Sequence, residues 1–299
     1  MNLSPEPGMG RFGTAYLRAL QAVGRRLDYG TNVLDREWDT LVVLDACRAD
    51  ALRGVADATD RFVRADVESL RSVGSCSSEW LENTFEGRPE TAATAMVTGN
   101  TWTDRYLDPD DFAVLDEVWK YAWDDDLGTV PADAVTDRAI ATARTGDHDR
   151  LVVHYMQPHH PFVADPIAGD EGMARVGSHS NAANPWVMLR RGELSTERVW
   201  DAYEATLRDV LAAVETLVAD IAGTVAITAD HGNLFGEWGL YGHPMHTPVP
   251  AVLTVPWVET TGDARQAYEP TIDPPEPLPV SSVYGTETDT ERLSALGYR

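Results

Sequence analysis

Asp230 and His231 stand side by side in Thr228-Ala229-Asp230-His231-Gly232, a carboxylate and an imidazole followed by a glycine that lets the backbone turn sharply beneath them. The pair suits one divalent cation, but two ligands do not make a site, and an Asp-His loop is also a common surface turn. Asp45 offers a third ligand. It ends the apolar run Leu41-Val42-Val43-Leu44, where a carboxylate must either be solvated, as a cation would do, or cap the helix expected to begin near Ala46 and to include Arg48 and Leu52. A hydroxyl comes from Ser72-Val73-Gly74-Ser75-Cys76-Ser77-Ser78-Glu79-Trp80-Leu81, a small glycine-containing turn feeding an expected helix with Trp80, Leu81 and Phe85. At a helix N-terminus backbone N–H groups and the dipole favour an anion, and beside a cation a hydroxyl loses its proton more readily and becomes a nucleophile. A serine-rich N-cap is the plain structural alternative.

The histidines cluster in the same way. All eight lie between His148 and His246, and five of them (His159, His160, His231, His243 and His246) follow expected strand ends or occupy the adjoining loops.

The elements that must position these groups are legible as apolar runs. Leu41 to Leu44, Leu151 to Tyr155, Val225 to Thr228 and Ala251 to Val255 read as buried strands. Trp200, Tyr203, Leu207, Val210, Leu211, Val214, Leu217, Val218 and Ile221 mark one face of a long helix that stops at Gly223, and a second helix runs from about Pro131 to Gly146. Helix followed by strand, repeated, predicts an α/β fold with a mostly parallel sheet flanked by helices on both faces. In such sheets the ligand crevice lies beyond the carboxyl ends of the strands, which selects Asp45, Gln157 to His160, Asp230-His231 and Pro256-Trp257.

Three segments follow: an N-terminal helical extension over residues 1–30, the main domain over 31–259, and a polar, proline-rich tail over 260–299 whose Glu291 to Leu296 is expected to form a short helix. Residues 158–193 have little periodicity and more length than a connection needs, the pattern of a lid or of a loose insertion.

Composition limits the partners. The formal net charge is −24, and Lys120 is the one lysine among 24 basic residues. A surface this acidic repels itself unless salt screens it, and with lysine nearly eliminated it reads as a halophile's protein. The overall field argues against binding nucleic acid or an anionic membrane through general electrostatics. No stretch of 18 apolar residues and no signal-peptide pattern occurs, which gives a cytoplasmic expectation. Cys47 and Cys76 are too few for a disulfide framework and too far apart for a zinc knuckle.

Taken together, four motifs resemble the alkaline phosphatase superfamily, in its sulfatase-like branch and in a haloarchaeal-type form. They are the strand leading into Asp45-Ala46-Cys47-Arg48-Ala49-Asp50, the Ser75-Cys76-Ser77-Ser78 turn, Pro158-His159-His160-Pro161-Phe162, and Asp230-His231-Gly232-Asn233-Leu234-Phe235-Gly236-Glu237-Trp238-Gly239-Leu240-Tyr241-Gly242-His243. Arg292 to Tyr298 resembles a tail seen in many members, which implies that the tail docks back on the core. The resemblance implies that Asp45, Asp230 and His231 are metal ligands, and that the nucleophile, itself a ligand, is Ser77, with Ser78 second. It implies contact with the substrate or leaving group from His159 and His243, and more weakly from His160 and His246. Arg48 would join them if it reached the crevice, packing or a salt link being its other reading. Formylglycine sulfatases carry Cys-x-Pro-x-Arg, whereas Ser77-Ser78-Glu79-Trp80 follows Cys76 here, so Cys76 is not expected to be converted.

The implied enzyme is a hydrolase or transferase of phosphate or sulfate esters, small or linked to a glycan or lipid. It would use one divalent metal ion, with Mn, Mg, Ca and Zn not distinguished, and phosphoesters come slightly ahead. A protein that keeps the fold as a binding or assembly subunit in surface-glycan or lipid metabolism is the competing expectation. A two-metal site is disfavoured because no second aspartate has ligand-like spacing.

Overall fold

Every residue of the strand Thr40–Leu44 (β1) is buried, as is every residue of Thr94–Thr98 (β3), which requires cover on both faces of their sheet. The computed structural model describes residues 10–27, 30–170, 172 and 184–275. Among these the remaining strands are Glu68–Arg71 (β2), Val114–Glu117 (β4), Arg150–Tyr155 (β5), Thr224–Thr228 (β6), Leu234–Phe235 (β7), Tyr241–Gly242 (β8) and Thr254–Thr261 (β9). The helices are Arg11–Gly24 (α1), Ala49–Gly54 (α2), Ser77–Phe85 (α3), Thr103–Tyr106 (α4), Ala132–Ala143 (α5), Pro185–Arg190 (α6), Thr196–Asp220 (α7) and Pro250–Leu253 (α8).

The main sheet has the order β2-β9-β6-β1-β5-β3-β4. β1 runs parallel to β5 and β6, and β3 parallel to β4 and β5. β9 pairs antiparallel with both β6 and β2, so among these strands it alone is reversed. This is the α/β architecture that the alternating helix and strand pattern predicts. Register keeps the crevice ends level, since Val43 lies opposite both His154 and Thr228 while Leu44 lies opposite Tyr155.

The longest helix, α7, starts at the Ser195 cap, whose hydroxyl accepts the Arg198 N–H at 3.1 Å. It buries Val199, Tyr203, Leu207, Val210, Val214 and Leu217 along one face, as the spacing predicts. Pro131 proves to be the N-cap of α5 rather than its first helical residue. Asp137 on α5 and Asp220 on α7 each accept two backbone N–H bonds, from Thr271 and Ile272 and from Ala267 and Tyr268. The polar chain beyond β9 is therefore pinned to these helices through Ile272. The expected helix at Glu291 to Leu296 and the tail motif lie outside the described residues, as do residue 171 and residues 173–183 of the aperiodic segment.

Three sequence expectations are corrected. The run Ala251 to Val255 is not one strand: Pro250 opens the single helical turn α8, and extension begins only at Thr254. Because β9 runs backward, Pro256-Trp257 lie within that strand and not beyond a crevice end. The helix after β1 starts at Ala49 rather than near Ala46, with Arg48 at its N-cap, so Asp45 caps nothing.

Candidate active site

Asp45 follows β1 directly, and Asp230 and His231 follow β6, all three nearly inaccessible to solvent. One ligand atom from each lies within 4.8 Å of the others. His231 Nδ1 sits 2.8 Å from the Gly232 carbonyl, which can only accept, so this nitrogen carries the proton and Nε2 offers its lone pair. That Nε2 is 3.3 Å from Asp230 Oδ2 and 3.8 Å from Asp45 Oδ1. The other carboxylate oxygens are satisfied: Asp230 Oδ1 accepts from the Ala46 and His231 amides, and Asp45 Oδ2 from Asn100 Nδ2 at 2.8 Å. Asp45 Oδ1 and Asp230 Oδ2 are buried with no hydrogen-bond donor.

The two carboxylates and the imidazole thus converge, and the like charges of the carboxylates repel each other. Burial pushes the Asp45 carboxyl above its ordinary value, the Asp230 charge pushes it further, and His154 and His231 offset this in part. Two carboxylate oxygens and one imidazole nitrogen fit a divalent cation, and its charge would resolve the conflict.

Ser77 is the first residue of α3, and its Oγ lies 3.3 Å from both Asp45 Oδ2 and His231 Nε2. Ser78, one residue along, turns instead to the Cys76 sulfur at 3.2 Å. The Cys76 thiol is pushed up to about 12, by burial first and then by the Glu79 carboxylate. The turn before α3 is held by Glu79, which is buried and accepts from the Ser75 amide and hydroxyl, each at 2.9 Å, and from the His246 amide at 2.6 Å.

One strained residue sits beside Asp45. Ala46 adopts φ +61°, a conformation that disfavours a Cβ by roughly 1–2 kcal/mol. It is held there because its N–H donates to Asp230 while its carbonyl accepts from the buried Tyr203 hydroxyl at 2.7 Å, and the same hydroxyl accepts the Arg48 N–H at 2.8 Å. Tyr203→Phe leaves both backbone groups without their partner. It is expected to lower stability by about 2–4 kcal/mol, read as a drop in the urea midpoint at unchanged slope.

Gly232 is required for a reason other than the sharp turn expected from sequence. It is not among the positive-φ residues, but a Cβ there would lie 2.4 Å from the Ala251 carbonyl oxygen. The Asp230-His231 loop is therefore seated directly on the backbone of α8, and the Gly232 N–H donates to the Val252 carbonyl at 2.7 Å.

From His231 a row of imidazoles leads outward. The His243 ring is 4.5 Å from that of His231, His159 is 5.0 Å from His243, and His160 stacks on His159 at 4.6 Å. His243 Nδ1–H donates to Asn233 Oδ1 and His159 Nδ1–H to the His160 carbonyl, leaving each Nε2 as an acceptor. Burial first, and then neighbouring imidazoles, hold both rings well below the ordinary histidine value, so both are neutral.

Not every predicted residue joins the cluster. Arg48 engages Asp50 through Nε and Nη2, and Asn233 and Glu237 through Nη1. With all three guanidinium nitrogens committed, it braces α2 and the 233–237 loop rather than facing an anion in the crevice. His160 Nδ1 is 3.2 Å from Asp170, and His246 sits against Glu79.

Two residues at the centre escape a sequence reading. Asn100 follows β3, whose Thr-Ala-Met-Val-Thr sequence holds only three consecutive apolar residues, too short a run to stand out. His154 lies inside the apolar run of β5, where periodicity does not tell which face it serves. Its Nε2 is 3.6 Å from Asp45 Oδ2 and 3.8 Å from Asp230 Oδ2, and neither ring nitrogen has a hydrogen-bond partner.

No protein-family model and no curated protein matches the chain by sequence. Solved structures do. The soluble domain of lipooligosaccharide phosphoethanolamine transferase A from Neisseria meningitidis superposes with a TM-score of 0.50 at 16% identity, covering 75% of this chain and 76% of that one. The periplasmic domain of the phosphoethanolamine transferase EptC from Campylobacter jejuni gives 0.49 at 15% identity over 75% and 78%. A protein of the alkaline phosphatase superfamily from Vibrio parahaemolyticus gives 0.42 at 12% identity over 84% and 69%. At such identities the likeness concerns the fold alone, and this chain shares the α/β fold of the first of these, the soluble domain of a phosphoethanolamine transferase.

Proposed function

We propose that the protein is a divalent-metal-dependent hydrolase or transferase of phosphate or sulfate esters, with Ser77 as its nucleophile. The observation that carries this reading is the approach of Ser77 Oγ to Asp45 and His231, with Asp45 Oδ1 and Asp230 Oδ2 left undonated in the same buried site. A divalent cation held by these three residues would supply positive charge that eases ionisation of the serine and offsets charge on the nonbridging oxygens of an ester.

Ser77 Oγ has an acceptor for its proton in Asp45 Oδ2 at 3.3 Å, whereas His231 Nε2, at the same distance, would give its lone pair to the cation. Attack of Oγ forms a bond to phosphorus or sulfur as the bond to the leaving oxygen breaks, and water or an alcohol then resolves the seryl ester. Neutral His159 and His243 present Nε2 lone pairs, which suits them to take a proton from that water or alcohol. An arriving anionic ester would raise their affinity for a proton and let one of them deliver it to the leaving oxygen. Phosphoesters are favoured over sulfates because the residues after Cys76 lack the Cys-x-Pro-x-Arg pattern and the thiol stays protonated.

The test is a screen of the purified protein with Mn, Mg, Ca and Zn, at physiological and at molar salt, against chromogenic phosphate monoesters, phosphodiesters and sulfates. Metal-dependent turnover of a phosphoester is expected. Stoichiometric metal without turnover of any ester would overturn the enzyme reading in favour of a binding subunit.

A further inference from the structure

Arg11, Arg18, Arg25 and Arg26 all fall on or at the end of α1, and residues 11–26 contain no acidic side chain, within a chain whose net charge is −24. The inner face of this helix is fully used. Leu17 packs with Leu234, Leu240, Val249, Val252 and Leu253, and Gln21 donates to the Met245 carbonyl at 3.0 Å. A Cβ on Gly24 would collide with the His246 carbonyl oxygen, so the helix lies backbone to backbone on the 245–248 loop and its rotation is fixed.

The outer face is apolar and uncovered. Phe12 is 94% exposed, Tyr16 43% and Val23 50%, with Leu27 at 47% just beyond the helix. Together with exposed Ala19 they form a stripe at i, i+4, i+7 and i+11. Arg11, Arg18 and Arg25 recur every seven residues along one flank of that stripe, all exposed, and among the described residues neither they nor Arg26 form an ion pair. Among the described residues the other large exposed apolar side chains, Val63, Trp102, Leu127 and Trp238, lie on separate elements and make no such row.

We propose that α1 seats the protein on an anionic lipid surface. Phe12, Tyr16, Ala19 and Val23 enter the boundary between headgroups and acyl chains, and Arg11, Arg18 and Arg25 meet lipid phosphates. No helix among the described residues is long and apolar enough to cross a membrane, so the helix lies in the interface and does not span it. A second copy of the same face would bring its own arginine row against this one, and nucleic acid would leave the apolar stripe in water. The chain's total charge does not forbid docking, because at physiological salt charges more than about 8 Å away are largely screened and α1 alone sets the local field. Docking holds the 243–248 loop about one helix diameter, roughly 10 Å, from the lipid. The proposal does not depend on the ester chemistry.

Sedimentation of the full-length protein with phosphatidylcholine vesicles, with and without one-third phosphatidylglycerol, tests it at the lowest salt that preserves the folded circular dichroism spectrum. Partitioning is expected to be at least about tenfold stronger on the anionic vesicles. Arg18→Gln with Arg25→Gln should weaken it by about 30-fold, taking roughly a factor of five for each arginine. Phe12→Ser with Val23→Ser should weaken it by about tenfold or more. All of these side chains are exposed, so both variants should keep the wild-type melting curve and wild-type turnover of a soluble ester. Absent binding, equal binding to both vesicles, or binding indifferent to both variants would overturn the proposal. So would a concentration-dependent dimer abolished by Phe12→Ser, which would give the face to a second copy.

Discussion

Replacing Ser77 with alanine is expected to lower kcat by at least about 10³-fold while the protein stays folded and keeps nearly all of its divalent metal. The metal is retained because Asp45, Asp230 and His231 remain, with their orienting bonds from Asn100, the Ala46 amide and the Gly232 carbonyl intact. Ser78→Ala removes only the contact with Cys76 and is expected to stay within about tenfold of wild type. The pair of variants separates a nucleophile from a helix cap, because a cap would show its loss in melting temperature and not in turnover. Unchanged turnover in Ser77→Ala would remove the proposed chemistry.

The second large effect is on stability. A divalent ion at a hundredfold excess over its Kd is expected to stabilise the fold by about 2.7 kcal/mol, which for a chain of this size is roughly 4 °C in Tm. The sign of the pH dependence follows from Asp45. Its folded value is raised, so the metal-free fold is favoured when the carboxyl is protonated, and that contribution decays as pH rises through the folded value. The metal must displace that proton, so the increment in Tm should grow as pH rises from acid toward neutrality. Asp45→Asn removes the like charge beside Asp230 while retaining an acceptor for Asn100. The metal-free variant is expected to be about 1–2 kcal/mol more stable than wild type, and its Tm to be nearly indifferent to metal. Differential scanning fluorimetry across pH, with and without metal, reads both effects.

What the sequence shows of this site follows from where strands end. Asp45, Asp230 and His231 are legible because each follows an apolar run that could be recognised, and the Ser77 turn because small residues lead into an aromatic-bearing helix. His154 and Asn100 are not legible, for opposite reasons. His154 is hidden by an apolar run that tells of burial and nothing of direction, whereas Asn100 follows a run too weak to be taken as a strand. The reversed strand β9 was hidden by Pro250, which turns four apolar residues into helix and shifts the strand three residues along. Arg48 was legible only as a choice between crevice and scaffold, and that choice rests on Glu237, 189 residues away in sequence. Contacts across that distance depend on packing, which no local pattern carries.

Asp45, Asp230 and His231 are expected to hold one divalent ion between them, and elemental analysis of the dialysed protein measures this. Wild type is predicted to carry about one equivalent of metal per chain, and Asp230→Asn less than about a tenth of that, since loss of a ligand in a three-residue site costs at least an order of magnitude in affinity. Wild-type protein that holds no divalent metal after loading, or an Asp230→Asn variant that holds as much as wild type, would contradict the account.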